Sequence, residues 1–195
     1  MRRLAIRALG AALLIPTLPL LAGLALGVRL SMGAPVLFRQ QRAGLDGKSF
    51  TLFKLRSMRD ENGPDGRPLP DEARVTGFGR FLRRSRLDEL PGLWNVARGD
   101  MTFVGPRPLL PETIAGLGRR GVARGRVRPG LTGWAQVNGN TLLSLDEKIA
   151  LDLWYVDHAS ALLDMRILAR TAWVMIGGER RRPAIAAAAG ASGGD

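Results

Sequence analysis

Between Ala8 and Val28 the chain carries no charge for 21 consecutive positions, ten of them Leu, Ile or Val. Coiled as a helix, such a run is ~31 Å long, the thickness of a bilayer's hydrocarbon core. At roughly −0.5 kcal/mol each, the ten large aliphatic side chains favour the membrane by about 5 kcal/mol. The run is longer than the ~7–15-residue apolar stretch of a secretory signal. Its only small-residue exit, Gly33-Ala34, is followed by Pro35. A retained membrane anchor is therefore expected over residues 1–33. Pro16 and Pro19 interrupt it, each removing an amide donor that would have bonded the carbonyl of Ala12 or Ile15. Arginines stand on both flanks, Arg2, Arg3 and Arg7 before and Arg29, Arg39 and Arg42 after. Cationic flanks stay on the cytoplasmic side, so both ends are expected there. A helix–break–helix that enters and returns on one face satisfies both observations; a single-pass anchor is the plainer alternative.

The remaining chain is that of a small globular domain, 34–178, followed by a basic, then low-complexity tail, 179–195, expected to be disordered. The expected class is α+β, mostly helical, with interfacial amphipathic helices and a short β element. Residues 34–40 and 49–55 read as short strands around turn residues 44–48. Residues 60–72, rich in Gly and Pro, read as a surface loop. From Gly79 to Leu90, four arginines beside Phe81, Leu82 and Leu87 suit a helix lying on anionic headgroups, or equally a solvated basic face. Pro91 opens a further helix ending at Gly99. Ser144 and Glu147 form a capping box for a helix with Ile149, Leu153 and Val156 on one face, and a last apolar helix spans 161–176.

Composition narrows the chemistry. With 29 Lys+Arg against 17 Asp+Glu the net charge is +12, which calls for an anionic partner. Aromatic residues at 6% are poor material for stacking bases, so the expected partner is phosphate or an anionic bilayer, not nucleic acid. No cysteine and a single histidine, His158, exclude a thiolate nucleophile, a disulfide and a multi-histidine metal centre. Asp88-Glu89 is the adjacent carboxylate pair set within a strongly arginine-rich stretch. At a helix N-terminus, which Pro91 supplies, the helix dipole and nearby arginines keep Asp88 ionised. An ionised carboxylate is a ready nucleophile toward phosphorus. Such pairs are also ordinary first-turn helix residues. Arg107, held between Pro106 and Pro108, presents its guanidinium with little conformational freedom left to lose, as phosphate binding favours; a rigid surface corner is the alternative.

Six blocks occur in order: Phe53-Lys54-Leu55-Arg56-Ser57-Met58; Leu87-Asp88-Glu89-Leu90-Pro91; Leu93-Trp94-Asn95-Val96 with Gly99-Asp100-Met101; Val104-Gly105-Pro106-Arg107-Pro108-Leu109; residues 128–139, RPGLTGWAQVNG; and Leu151-Asp152-Leu153-Trp154-Tyr155-Val156. Over residues 8–176 the chain resembles the bacterial sugar transferases, the monotopic polyprenyl-phosphate sugar-1-phosphate transferases. The resemblance implies transfer of a sugar-1-phosphate from a UDP-sugar to polyprenyl phosphate, with release of UMP, as a first step of glycoconjugate or polysaccharide assembly. It implies a phosphosugar carried covalently on Asp88, with Glu89 and Asp88 holding Mg²⁺. It also implies substrate-binding roles for Lys54, Arg56, Arg107, Gln136, Asn138 and Asp152. The implied place is the cytoplasmic face of the bacterial inner membrane, with room for a homodimer. Three positions depart from the pattern. Leu18-Pro19, beside Thr17, stands where a Ser-Pro is common; Asn140 replaces a common Arg, and Gly92 a common Gln. An inactive scaffold of the same fold that recruits glycosyltransferases is the alternative reading.

Overall fold

The computed structural model describes residues 2–67 and 69–180. The expected tail therefore lies outside the description from residue 181 onward. The described chain is mostly helical, with two small two-stranded sheets and one long apolar helix at its start. It forms two compact units. The first comprises the described residues of Met1–Gln40 and Thr51–Ala97, the second Gln41–Phe50 and the described residues from Arg98 on.

The first unit opens with α1 (Arg2–Met32), which is long and apolar enough to cross a membrane by length and composition. The helix continues through Pro16 and Pro19, which corrects the expected helix–break–helix. Proline's fixed φ is itself helical, so the ring can remove a hydrogen bond without ending the helix. Between the two prolines the Thr17 hydroxyl bonds back to the Leu14 carbonyl at 2.8 Å. Both ends of α1 touch this unit, while residues 11–13, 15, 16 and 18–20 between them are exposed. Near the start, Arg7 Nε donates to the Ala97 carbonyl at 3.1 Å. Near the end, Gly27 lies so close to Phe78 that an added Cβ would stand 2.5 Å from the ring.

Strands β1 (Leu37–Ala43) and β2 (Ser49–Leu55) pair in one sheet. The first begins three residues later than expected, beyond Pro35, which has no amide to donate. The 60–72 segment is largely irregular, but α2 (Asp71–Arg74) begins within it and Val75 bridges to Met58. Helix α3 (Gly77–Ser85) is capped by Thr76, whose hydroxyl accepts from Gly79 N–H. It stops five residues short of the expected Leu90, because Arg86 takes the left-handed conformation at φ 56°. A 3-10 turn over Leu87–Glu89 follows, then α4 (Gly92–Arg98). Leu24 and Val28 of α1, Leu55 of β2 and Leu82 of α3 make the core, with Phe78, Leu87 and Leu90 against it.

In the second unit, the Pro/Gly-rich stretches 104–108 and 127–133, which read as loops, adjoin a sheet that the sequence pattern did not reveal. Strand β3 (Thr102–Val104) runs parallel to β4 (Gly130–Thr132), with Thr102 opposite Gly130 and Val104 opposite Thr132. The strands are three residues each, too short for an alternation to register. Gly130 is required by the approach, since a Cβ there would lie 2.2 Å from the Gly105 nitrogen. Short helices α5 (Pro111–Gly116), α6 (Arg119–Arg124) and α7 (Trp134–Val137) precede α8 (Leu145–His158) and α9 (Ala161–Gly177). The Ser144–Glu147 capping box is present in both directions. The buried face of α8 is Ile149, Leu151, Asp152 and Tyr155, whereas Leu153 and Val156 are half-buried. Polar side chains turn inward here because partners await them: the Tyr155 hydroxyl donates to Asp164 at 2.7 Å. Trp134 stacks on Trp154, Trp154 on His158, and Arg170 lies 5.0 Å over the Trp134 ring.

Candidate active site

Four of the eight expected side chains belong to the first unit and four to the second. In the first, Asp88 and Glu89 lie on the 3-10 turn between α3 and α4 rather than inside a longer helix. The left-handed Arg86 makes this possible. A non-glycine residue at positive φ costs on the order of 1 kcal/mol, and it turns the chain so that the carboxylates precede α4. Lys54, on β2, reaches Glu89 Oε1 with its ammonium at 2.7 Å, both side chains 19% exposed. The expected phosphate ligand and metal ligand are thus in contact with each other, at a place solvent can reach.

The strand that carries Lys54 is fixed on both sides of it. Asn95 of α4 has no solvent exposure. Its Nδ2 donates to the Thr51 carbonyl at 2.7 Å and its Oδ1 accepts from Phe53 N–H at 3.2 Å. Just beyond β2, Arg56 is buried. Its guanidinium donates to the carbonyls of Met32, of Gly33 at 3.0 Å and of Ala34 at 3.0 Å, and pairs with Asp60. Arg56, expected to bind substrate, here donates to carbonyls at and just past the end of α1, where a helix end is electronegative. Its place in the sequence, directly after the strand residue Leu55, gave no hint of those partners.

In the second unit, Arg107 is half-buried at the Pro106–Pro108 corner, and its carbonyl accepts from the Arg124 guanidinium. Asp152, expected to contact substrate, is 3% exposed. Its Oδ2 receives Arg124 Nη2 at 2.8 Å and Nε at 2.9 Å. Burial raises the Asp152 carboxyl above the ordinary carboxylate range, against the pull of Arg124 and then Lys148. Gln136 and Asn138 are also buried. Gln136 Nε2 donates to the Leu131 carbonyl, and its Oε1 has no hydrogen-bond partner among the described residues. Asn138 Nδ2 donates to the Trp134 carbonyl, and its Oδ1 accepts from Arg170. Asn140, in the place of a common Arg, has φ 44° and donates to the Glu179 carboxylate, which also accepts from Thr141 N–H.

The family model of bacterial sugar transferases matches residues 1–178. The chain belongs to the bacterial sugar transferase family. That places it among transferases. Within the family it is 50% identical over 144 residues to the uncharacterized sugar transferase EpsL of Bacillus subtilis (strain 168), covering 74% of this chain and 71% of that one. It is 43% identical over 170 residues to the UDP-glucose:undecaprenyl-phosphate glucose-1-phosphate transferase of Xanthomonas campestris pv. campestris. A transferase of the same name from Escherichia coli (strain K12) is 40% identical over 160 residues. These alignments cover 82% and 77% of this bacterial sugar transferase, which spans only about a third, 35% and 34%, of the two longer relatives.

The Asp88-Glu89 pair suits Mg²⁺. This cation takes oxygen ligands and is typically held by one or two carboxylates, with waters and substrate phosphates completing its shell. Carboxylates on adjacent residues of one turn are donors of the type this cation takes, and Glu89 Oε1 is here paired with the Lys54 ammonium.

Proposed function

We propose that this sugar transferase moves a sugar-1-phosphate from a UDP-sugar to a polyprenyl phosphate in the membrane, releasing UMP and starting a glycoconjugate. The observation that carries the reading is the dyad turn, on which Asp88 directly precedes Glu89 and Lys54 lies 2.7 Å from the Glu89 carboxylate. In this scheme an Asp88 oxygen attacks the phosphorus that bears the sugar. The bond from that phosphorus to the UMP oxygen breaks, and UMP leaves with the electron pair. The lipid phosphate then attacks the same phosphorus and Asp88 departs as a carboxylate. Neither step needs a general base, because a carboxylate is already ionised at neutral pH. Bound at Asp88 and Glu89, Mg²⁺ would neutralise diphosphate charge. Lys54 orients Glu89 through its ion pair, and Arg107 offers a planar fork to a phosphate.

The lipid acceptor's phosphate lies at headgroup level, and α1 supports placing the dyad there on the cytoplasmic side. A helix crossing the bilayer would carry one end ~30 Å away. Here both ends bond or pack against the same unit while the middle, with Leu13, Ile15, Leu18 and Leu20 exposed, faces outward. That arrangement supports a segment that enters and returns on one face, its path turned within one continuous helix rather than at a break. Exposed Leu162, Trp173 and Ile176 on α9 add apolar surface suited to an interface.

Intact-mass measurement tests the chemistry. Exposed to a UDP-sugar without acceptor, UDP-glucose first, the wild-type protein gains one phosphosugar, which maps to Asp88. Asp88→Asn keeps its melting temperature, gains no mass and loses turnover. An adduct on another side chain rejects Asp88 as nucleophile. Absence of adduct and of lipid product across a panel of UDP-sugars favours the scaffold reading.

A further inference from the structure

Pro106 and Pro108 have no amide hydrogen, so the corner that presents Arg107 cannot be tethered through donors at those positions. Its acceptors hold it instead. Four successive carbonyls each accept a hydrogen bond from elsewhere in the second unit. Pro106 O receives Gly130 N–H at 3.0 Å, and Leu109 O receives Ala43 N–H at 2.9 Å. Between them, Arg107 O receives the Arg124 guanidinium and Pro108 O receives Arg42 Nη1 at 3.3 Å. The outer two donors are strand backbone. The inner two, on either side of the Arg107–Pro108 peptide, are arginine side chains.

Arg124 is itself fixed. It ends α6, and both its Nε and its Nη2 reach Asp152 Oδ2, the two side chains being 5% and 4% exposed. A buried pair of this kind is weak evidence for stability, because desolvation offsets the attraction. Geometry is the better account of it: one planar guanidinium can satisfy a carboxylate and a main-chain carbonyl together, which an ammonium cannot do in the same fixed directions. Arg42 is held differently, with its proton affinity lowered by burial and then by the neighbouring charge of Arg107.

We infer that Arg124, locked by Asp152, is a positioning residue for Arg107, and that Arg42 is its second strut. Together they set the Pro-Arg-Pro backbone so that the Arg107 fork meets a phosphate of the nucleotide donor without first having to order. The inference rests on the phosphate-binding role proposed above for Arg107. It gives Asp152 a task that requires no contact with substrate.

The test is a double-mutant cycle on the full-length protein in lipid nanodiscs, read by UMP release, together with amide hydrogen exchange. Arg124→Lys keeps the charge beside Asp152 but loses the second prong. It is expected to raise the donor KM about tenfold, the worth of one charge-assisted hydrogen bond, with kcat changed less than about threefold. In an Arg107→Gln background the same substitution adds almost nothing, since its effect travels through Arg107. Exchange quickens in peptide 103–110 and stays unchanged in 147–158. Additive effects, or an Arg124→Lys protein whose corner exchanges as slowly as wild type, overturn the inference. A merely structural pair would lower the melting temperature and leave the KM of the folded fraction alone. Should Arg124→Lys fail to fold, Arg42→Lys carries the same cycle. If the wild type releases no UMP from any UDP-sugar, the phosphate reading of Arg107 falls, and hydrogen exchange alone decides whether Arg124 holds the corner.

Discussion

Asn95 fills the edge of β2 as a neighbouring strand would, accepting from Phe53 N–H and donating to the Thr51 carbonyl. A buried side chain that satisfies a backbone donor and a backbone acceptor leaves both orphaned when it is removed. Asn95→Ala is therefore expected to cost about 2–3 kcal/mol. Asn95→Asp should cost at least as much, because its second oxygen would face the Thr51 carbonyl without a proton between them. Thermal denaturation in detergent measures both, and a change of less than about 0.5 kcal/mol for Asn95→Ala would show that the two contacts carry no weight. At this scale the sequence was only partly legible. Asp88, Glu89 and Arg107 could be singled out from the residues, because phosphate chemistry asks for such groups at positions with little freedom, and Lys54 through the family resemblance. What Asn95, Arg56 and Arg124 do could not. The partners just described are 42 to 44, 22 to 24 and 17 to 28 residues away, and most are main-chain atoms that carry no sequence signature.

Among the elements, local chemistry was the best guide. The capping box of α8, the Gly99 end of α4 and β2 all stand where turn and cap residues put them. Expectations failed where a single backbone conformation decided the outcome. Arg86 ends α3 early by adopting φ 56°, which nothing about arginine foretells, and so creates the turn that carries the dyad. The two prolines of α1 mark a weakened ladder, yet the helix passes through them. The expected topology of α1 can be measured cleanly because the chain has no cysteine. Single cysteines placed by Arg3→Cys, before the apolar run, and Arg84→Cys, on the exposed side of α3, should react with a membrane-impermeant maleimide from the same side of sealed vesicles. Labelling from opposite sides would establish a single crossing and would separate the two ends that here share one unit. Pro16→Ala with Pro19→Ala restores the amides opposite Ala12 and Ile15 and should shift labelling toward that crossing.

For the molecule as a whole, two long-range properties of the chain answer to different conditions. The excess of 12 positive charges acts through the surrounding salt, and at about 1 M salt the screening length falls to ~3 Å, shorter than most side chains. The 21-residue uncharged run acts through water's exclusion of apolar surface, which salt does not weaken. If charge alone held the protein to anionic headgroups, a wash at about 1 M NaCl would move it to the supernatant. With the middle of α1 exposed and apolar, about 5 kcal/mol of insertion energy survives that wash, and the protein should remain in the membrane pellet. The same salt should still slow capture of the anionic donor, because steering of a charged ligand by a basic surface is screened even when anchoring is not. Retention in the pellet with a donor kcat/KM that falls as salt rises is thus the expected pair of results. Release at high salt would mean that the apolar run does not enter the bilayer, and would remove the reason for placing Asp88 at the level of a lipid phosphate.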